Sequence, residues 1–534
     1  MNSAATAKKD QNRLVRAVGT IGFYTLLSRV LGFVRDIILA RAFGAGMGAD
    51  AFFVALKLPN FLRRLFAEGA FNTAFVPVFN DVMANHTPEE VRHLAQSVFT
   101  ILAVVVAAVV VVVELFMPGF IMLVAPGFTD EPEKYQLTVD LTRITFPYIL
   151  FISLVALTGG ILNSYRKFAI PAATPILLNV FIILGAVGLA PTMERPAMGL
   201  AVGVLIGGIA QLAIQWPPLL RINMPLKFRW DPRNPAIKQI LSLMGPSLLG
   251  VSVMQISLLF DIFLASWLPE GSISFLYYAD RMVEFPLGII GIAMATAILP
   301  GLSARAARQD IDGMKRELDF ALRMTLLINL PAAVGLIVLR EPILSLLFER
   351  GAFDAQTTEM TSRALLAYGS GLLAFSAVKI ITPAFYALKD TKTPVRIAIT
   401  CLIFNMVMNV ILMFPLKHVG LALATSLASY LNTVLLLVYL KRKTGFSLSR
   451  AFYGCFGKGI VASAVMVVFL SWGVDQYWQA GLSLTEKGIV LIPLIFGSMA
   501  LYFGVAILLR MQEVGDLFSV LLKRKRSVSE SLSE

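Results

Sequence analysis

Long apolar runs recur along this chain, separated by short polar or basic loops. Runs of about 18 to 25 residues, rising about 1.5 Å each, match a hydrocarbon core about 30 Å thick. Stretches such as Ile101 to Val113 show no alternation of apolar and polar positions, which argues against the strands of a transmembrane β-barrel. The pattern predicts an all-α polytopic membrane protein with fourteen transmembrane helices. These centre near residues 30, 62, 105, 150, 181, 206, 252, 287, 328, 374, 404, 430, 466 and 499.

An internal repeat organises these spans. Thr73-Ala74-Phe75-Val76-Pro77 matches Thr296-Ala297-Ile298-Leu299-Pro300, and Pro171, opening the fifth span, matches Pro394, opening the eleventh, at the same offset of 223 residues. Two agreements on one offset point to duplication of a six-span unit. Because six is even, both copies start from one side of the membrane, and an axis along the membrane normal relates them. The expected architecture is two pseudo-symmetric six-helix lobes, 14–220 and 238–442, around a central cavity. A cytoplasmic inter-lobe linker occupies 221–237; it is basic, attracted to anionic headgroups, and expected to include a short surface helix. Spans thirteen and fourteen, 456–510, fall outside the repeat, and a basic cytoplasmic tail follows at 511–534.

Composition agrees: 57% of the 534 residues are hydrophobic and only 15% charged, with a mean hydropathy of +0.76. A net charge of +13 raises the question of nucleic acid, but the cations sit in short clusters between spans and so report topology. Clusters such as Arg166-Lys167 and Lys441-Arg442-Lys443 occupy alternate loops, and the positive-inside rule then places both termini in the cytoplasm. The first apolar segment runs on without a small-residue cleavage site, so no cleavable signal peptide is expected. Cys401 and Cys455 alone suggest no disulfide framework. His86, His93 and His418 are not spaced as metal ligands, and no P-loop or G-x-S-x-G motif is present. These features favour a transporter over an enzyme, with no organic cofactor.

Candidate chemistry starts with Arg29, Arg35 and Asp36 in the first span. A cation near the bilayer centre costs about 3 kcal/mol or more, so such residues face a partner, a water-filled cavity or a substrate. Arginine's planar fork matches phosphate oxygens and keeps its charge when buried, where lysine's pKa shifts. One reading is a cavity for an anionic, phosphate-bearing substrate; the other is a structural Arg35–Asp36 pair with Arg29 reaching an interface. On a straight helix Arg29 and Arg35 lie about 120° apart, so both can face a cavity only if the helix bends, as Gly32 would allow.

In the second span Lys57, Asn60, Arg64 and Glu68 share one helix face, with Arg63 beside it and Pro59 and Gly69 framing a bend. Arg64 and Glu68, at i and i+4, read as an ion pair, so Arg63 is the better ligand candidate, with Asn60 a further candidate on the polar face. The corresponding eighth span carries Asp280, Arg281 and Glu284, the last two at pairing distance along a helix. Asp261 and Asp390 are isolated acidic residues, either structural carboxylates or parts of a cation site.

Ser28-Arg29-Val30-Leu31-Gly32-Phe33-Val34-Arg35-Asp36, Phe43-Gly44-Ala45-Gly46, Asp50-Ala51-Phe52-Phe53-Val54-Ala55, Leu58-Pro59-Asn60, Ala67-Glu68-Gly69-Ala70-Phe71 and Tyr277-Tyr278-Ala279-Asp280-Arg281 give the chain a close resemblance to the MurJ (MviN) family of lipid II flippases. That family belongs to the multidrug/oligosaccharidyl-lipid/polysaccharide exporter superfamily. The resemblance implies fourteen helices in two lobes, an inner-membrane location, and movement of undecaprenyl-diphosphate-linked disaccharide-pentapeptide to the periplasmic leaflet by alternating access. It implies cavity arginines at Arg29, Arg35, Arg63 and Arg281 and further sensitive positions at Asp36, Asp50, Ser274 and Glu284; spans thirteen and fourteen, outside the repeat, are the natural candidates for a groove that holds the lipid tail. Membrane lipids and other cell-wall synthesis proteins are the further partners it suggests. In some relatives sodium binds where Asp261 and Asp390 lie here, but Tyr386, one turn before Asp390, stands where some relatives offer an amide, so membrane potential stays open as the driver. Two rivals are a cation-coupled exporter of drugs or other lipid-linked oligosaccharides, whose cavity for cationic drugs should be acidic, and a membrane glycosyltransferase, which usually needs a larger extramembrane loop.

Overall fold

A computed structural model describes residues 2–64, 71–288, 292–479 and 481–517, with side chains described over 19–64, 71–245, 255–288, 294–479 and 481–517. Glu68 and Gly69, and Lys523 to Arg526 of the basic tail, lie outside the described residues. The first half holds α1 (Asn2–Phe43), α2 (Met47–Leu62), α3 (Asn72–Asn85), α4 (Pro88–Leu115), α5 (Met117–Val124), α6 (Pro132–Thr145), α7 (Tyr148–Ser164), α8 (Ala169–Leu184) and α9 (Ala197–Arg221). Then come α10 (Pro235–Ala265), α11 (Ser272–Pro286), α12 (Ile292–Ala307), α13 (Ile311–Val338), α14 (Arg340–Phe348), α15 (Ala355–Ser370), α16 (Leu372–Ala387), α17 (Lys392–Leu416) and α18 (His418–Thr444). The chain closes with α19 (Arg450–Tyr477) and α20 (Leu484–Leu508).

The repeat extends through the whole helix order. Each helix from α2 to α9 has a counterpart from α11 to α18 that begins within three residues of the 223-residue offset. The helix signals repeat as well. Thr87 caps α4 in a reciprocal box with Glu90, and Asp310, its mate at that offset, caps α13 by accepting from the Gly313 amide at 2.8 Å. Both capped helices run for 28 residues.

Ten helical stretches among the described residues are long and apolar enough to cross a membrane. The expected spans centred near 30, 62, 252 and 287 fall outside those ten, on α1, the α2–α3 pair, α10 and the α11–α12 pair, all helical. Near 62, α2 with Pro59 inside it ends at Leu62, and the helical backbone widens into a π-type turn at Arg63 and Arg64. Gly32, by contrast, lies in an unbroken α1.

The chain divides into two compact units, Met1–Ser274 with Arg350–Phe353, and Phe275–Glu349 with Asp354–Glu534. In the first, stacked Phe71, Phe75 and Phe79, each ring 5.2 Å from the next, anchor a core shared by α3, α4, α7, α9 and α10. The linker after α9 does not form the expected surface helix. Residues 224–231 form no helix, and α4 takes two of their backbone groups: Gln96 Nε2 donates to the Pro225 carbonyl at 2.7 Å, and the Arg229 amide donates to Thr100 Oγ1 at 2.8 Å. In the second unit α12, α13, α16, α17 and α18 share one core, and α19 and α20 pack against Leu326, Leu327 and Leu330 of α13 in another.

Close helix approach depends on small residues, since apolar lipid gives helices no hydrophobic reason to associate. Along α9, Gly199 and Gly203 lie one turn apart, and a Cβ on them would come within 2.6 Å of the Ala190 nitrogen and 2.5 Å of the Phe181 carbonyl oxygen respectively. Both obstacles are backbone and cannot rotate away. Gly203→Val is therefore expected to destabilise the protein by about 1–3 kcal/mol, read as a lowered melting temperature in detergent. Gly188→Ala, with nothing within 4 Å of its Cβ, should leave it unchanged.

Candidate functional site

The charged residues of the first span divide into two environments. Arg29 is exposed, whereas Arg35 and Asp36 are buried. Arg35 donates to Asp36 Oδ1 from Nε at 3.0 Å and from Nη2 at 2.7 Å, and its Nη1 donates to Asn179 Oδ1 at 3.0 Å. Asn179, on α8, turns its own amide to the Ser28 carbonyl at 3.1 Å, so one side chain ties two turns of α1 to α8. A guanidinium so enclosed is satisfied by protein groups and organises its surroundings. The Arg35–Asp36 pair is formed, and Arg29, on the same unbroken α1, is exposed.

Two other candidate arginines, Arg63 and Arg281, stay partly exposed, and each bonds a side chain one turn away. At the end of α2, Arg63 Nε donates to Asn60 Oδ1 at 3.1 Å while Asn60 donates to the Leu56 carbonyl at 2.9 Å. On α11, Arg281 pairs with exposed Glu284 at 2.7 Å and lies over the Tyr277 ring, 5.0 Å from its centroid. The Arg281–Glu284 pair, between solvent-accessible groups one turn apart, is worth little. Arg64 is exposed, and its expected partner Glu68 is outside the described residues.

Asp50, in the first turn of α2, is the centre of a second cluster at the end of the first unit. Its Oδ1 accepts from the Ser274 amide at 3.0 Å and the Ser274 hydroxyl at 2.7 Å, and its Oδ2 accepts from the Gly271 amide at 2.8 Å. A carboxylate at the start of α11 meets amides that no helical carbonyl satisfies. Lys134 of α6 lies 3.3 Å from Oδ2, and both side chains are almost wholly buried, at 1% and 2% exposure. Backbone contacts surround this cluster. The Ala352 amide donates to the Arg41 carbonyl at 2.9 Å and the Gly127 amide to Ser266 Oγ at 3.0 Å. Gly44, at φ +55°, admits the first contact only because it lacks a Cβ, which would fall 2.2 Å from the Ala352 carbonyl oxygen.

The two acidic cation candidates differ. Asp261 is half-buried on α10. Asp390 lies in the loop between α16 and α17, where Lys443 reaches Oδ2 at 2.7 Å and the Thr393 amide and hydroxyl bond it at 3.0 and 2.8 Å. Lys443 and the Thr393 amide hold its carboxyl down at about 2. Among the described residues no group of three His, Cys, Asp or Glu side chains is placed to hold a metal ion.

Sequence reasoning missed Asn179 and Lys134. Asn179 left a signal, a single amide inside an otherwise apolar run. Lys134 left none, because Glu131-Pro132-Glu133-Lys134 reads as a solvated loop.

Comparison with known proteins adds an independent line. The family model described as lipid II flippase MurJ matches residues 39–490. A probable lipid II flippase MurJ of Vibrio cholerae is 42% identical over 506 residues, covering 93% of this chain and 96% of the relative. The lipid II flippase MurJ of Burkholderia cenocepacia is 37% identical over 497 residues, with 92% and 96% covered. Among solved structures, a lipid II flippase MurJ in an inward closed conformation superimposes with a TM-score of 0.76 at 29% identity, covering 92% of this chain and 98% of that one. An inward-facing multidrug resistance MATE family transporter reaches a TM-score of 0.66 at 15% identity, covering 78% and 94%, a likeness of fold alone.

Two outcomes follow from the geometry. Asn179→Leu strips an acceptor from a buried guanidinium and should cost about 1–3 kcal/mol of stability, whereas Arg29→Gln should change the melting temperature little. For Asp390, a pKa depressed in the folded protein contributes stability that is full above the unfolded value of about 3.9 and is lost as pH falls towards the folded one. The melting-temperature gap between the parent and Lys443→Met should therefore hold from about pH 8 to about pH 4 and narrow below that.

Proposed function

The chain belongs to the lipid II flippase MurJ family, and from that premise we propose that arginines set within its apolar helices carry the diphosphate of lipid II across the membrane. The protein is a transporter of the inner membrane, a lipid II flippase rather than an enzyme. A diphosphate cannot enter hydrocarbon bare, so the protein must supply cations that replace its water, while the prenyl tail can stay in lipid beside the helices. The observation that carries the residue assignment is the contrast among the arginines. Arg63 and Arg281 are partly exposed and Arg29 is exposed, whereas Arg35 is buried. Those three are assigned to the substrate; Asn60 and Glu284 hold Arg63 and Arg281 until it arrives. Arg35 and Asp36 keep α1 fixed to α8 and support the site from behind.

Transport proceeds by alternating access of the two duplicated halves, a reading supported by the continuous 223-residue correspondence of their helices. The basic loops put both termini in the cytoplasm, and in that orientation the Asp50–Ser274 contact is a latch on the periplasmic side. Spans thirteen and fourteen, 456–510, are assigned the prenyl tail. Sodium near Asp261 and Asp390 is the proposed coupling ion, although at Asp390 it has to displace the Lys443 ammonium; membrane potential is the competing driver. Cell-wall synthesis proteins that supply and consume the precursor are the proposed further partners. A cationic-drug exporter would need an acidic cavity, which exposed arginines do not provide.

Reconstitution in vesicles containing lipid II tests the assignment. Arg29→Ala, Arg63→Ala and Arg281→Ala should each cut flipping roughly tenfold or more at normal melting temperature, as loss of a charge-assisted bond of about 1.5–3 kcal/mol requires. Lysine at the same positions should recover only part of the rate, because it keeps the charge and loses the two-pronged geometry. Full activity in the alanine variants would reject the assignment, and equal rates in sodium and choline would reject sodium as the coupling ion.

A further inference from the structure

Lys134 is buried at 1% exposure, yet nothing in the residue pattern or the family likeness gives it a role. Its ammonium has three described neighbours: Asp50 Oδ2 at 3.3 Å, Glu131 at 4.0 Å and the face of buried Phe128 at 4.5 Å. Glu131 is half exposed and screened, and an aromatic face attracts a cation without neutralising it. Asp50 is therefore its main counter-charge. The reverse holds too. Gly271 and Ser274 give the Asp50 carboxylate three hydrogen bonds but no positive charge, and a buried carboxylate without a countercharge takes a proton. A protonated carboxyl would donate from one oxygen and lose part of its capacity to accept from these groups.

We propose that Lys134 is the positioning residue of the Asp50 latch, holding the carboxylate as an anion against the Gly271 and Ser274 donors at the start of α11. When those donors withdraw, Asp50 keeps Lys134 as its partner, so the carboxylate remains charged and the latch can close again. Phe128 fixes the ammonium from the other side, and its neighbour Gly127 bonds Ser266, which ties the Lys134 site to the turn that bears Gly271. Removing the cation shifts the balance towards the open latch, because the carboxyl then takes a proton and accepts fewer of the bonds that Gly271 and Ser274 donate only in the closed state.

The inference rests on the flippase reading for its transport readout only; a labelling readout tests the latch without substrate. Ile273, buried beside Ser274, is replaced by cysteine in a background of Cys401→Ala and Cys455→Ala, and a membrane-impermeant maleimide is applied from the side opposite the termini. The parent should label slowly. Lys134→Met should label roughly tenfold faster or more, as expected when one partner of a buried ion pair is lost. Lys134→Gln, which keeps a hydrogen-bond donor without charge, should also label faster and serves if the methionine variant does not accumulate. Asp50→Asn with Lys134→Met leaves no unpaired charge and should flip lipid II faster than Lys134→Met alone. Parent-like labelling in either single variant, or a loss in the double variant equal to the product of the single losses, overturns the proposal. If even the parent fails to flip lipid II while labelling follows the expected order, the flippase reading fails and the latch stands.

Discussion

Arg35, Asp36, Asp50 and Lys134 are charged groups held almost out of reach of water in an apolar helical protein, and moving each there costs several kcal/mol unless a partner offsets it. The protein meets that cost by pairing across helices. Arg35 and Asp36 close on Asn179 of α8, and Lys134 of α6 closes on Asp50 of α2. Breaking one partner of such a pair is far more costly than the pair is stabilising, so these contacts determine which helices must stay together. The more exposed arginines are the complement: Arg29, Arg63 and Arg281 keep part of their surface open, and cations in that position can meet a substrate anion.

Duplication supplied two copies of one helical plan, and the chemistry has since been divided unequally between them. The caps Thr87 and Asp310 perform the same task in both halves. The charged clusters do not repeat: at the 223-residue offset, Arg35 and Asp36 correspond to Leu258 and Leu259, and Asp50 and Lys134 to Ile273 and Thr357. Backbone architecture can be duplicated because caps, prolines and apolar periodicity are local. A buried charge pair needs two positions to change together, and it survives only where both partners do.

The two helices outside the repeat are fastened to the second unit near both of their ends. Arg323 and Asp319 of α13 bond Glu513 and Ser449 on one side, and Lys487 bonds Glu349 on the other. Between these ion pairs, apolar packing on α13 is continuous through Met466, Leu491 and Leu494. A hydrophobic contact by itself allows sliding, whereas charged contacts at both ends fix the register. Whatever motion the second unit makes, α19 and α20 are built to move with α13.

By itself the sequence determined the all-helical class, ten of its apolar spans, the duplication and the family, because apolar length, helix caps and repeated motifs are local properties written in consecutive residues. It also narrowed the site to a few charged positions in apolar runs. The tertiary structure alone decided what those charges do. Arg29 and Arg35 look alike in sequence, but the acceptor that sequesters Arg35 is Asn179, 144 residues away, and only helix packing brings them together. The surface helix expected in the linker is absent for the same reason, since Gln96 and Thr100 of α4 take its backbone groups. Lys134 is the limiting case: among acidic and proline residues it reads as a solvated charge, and its burial against Asp50 is set wholly by where α6 meets α2.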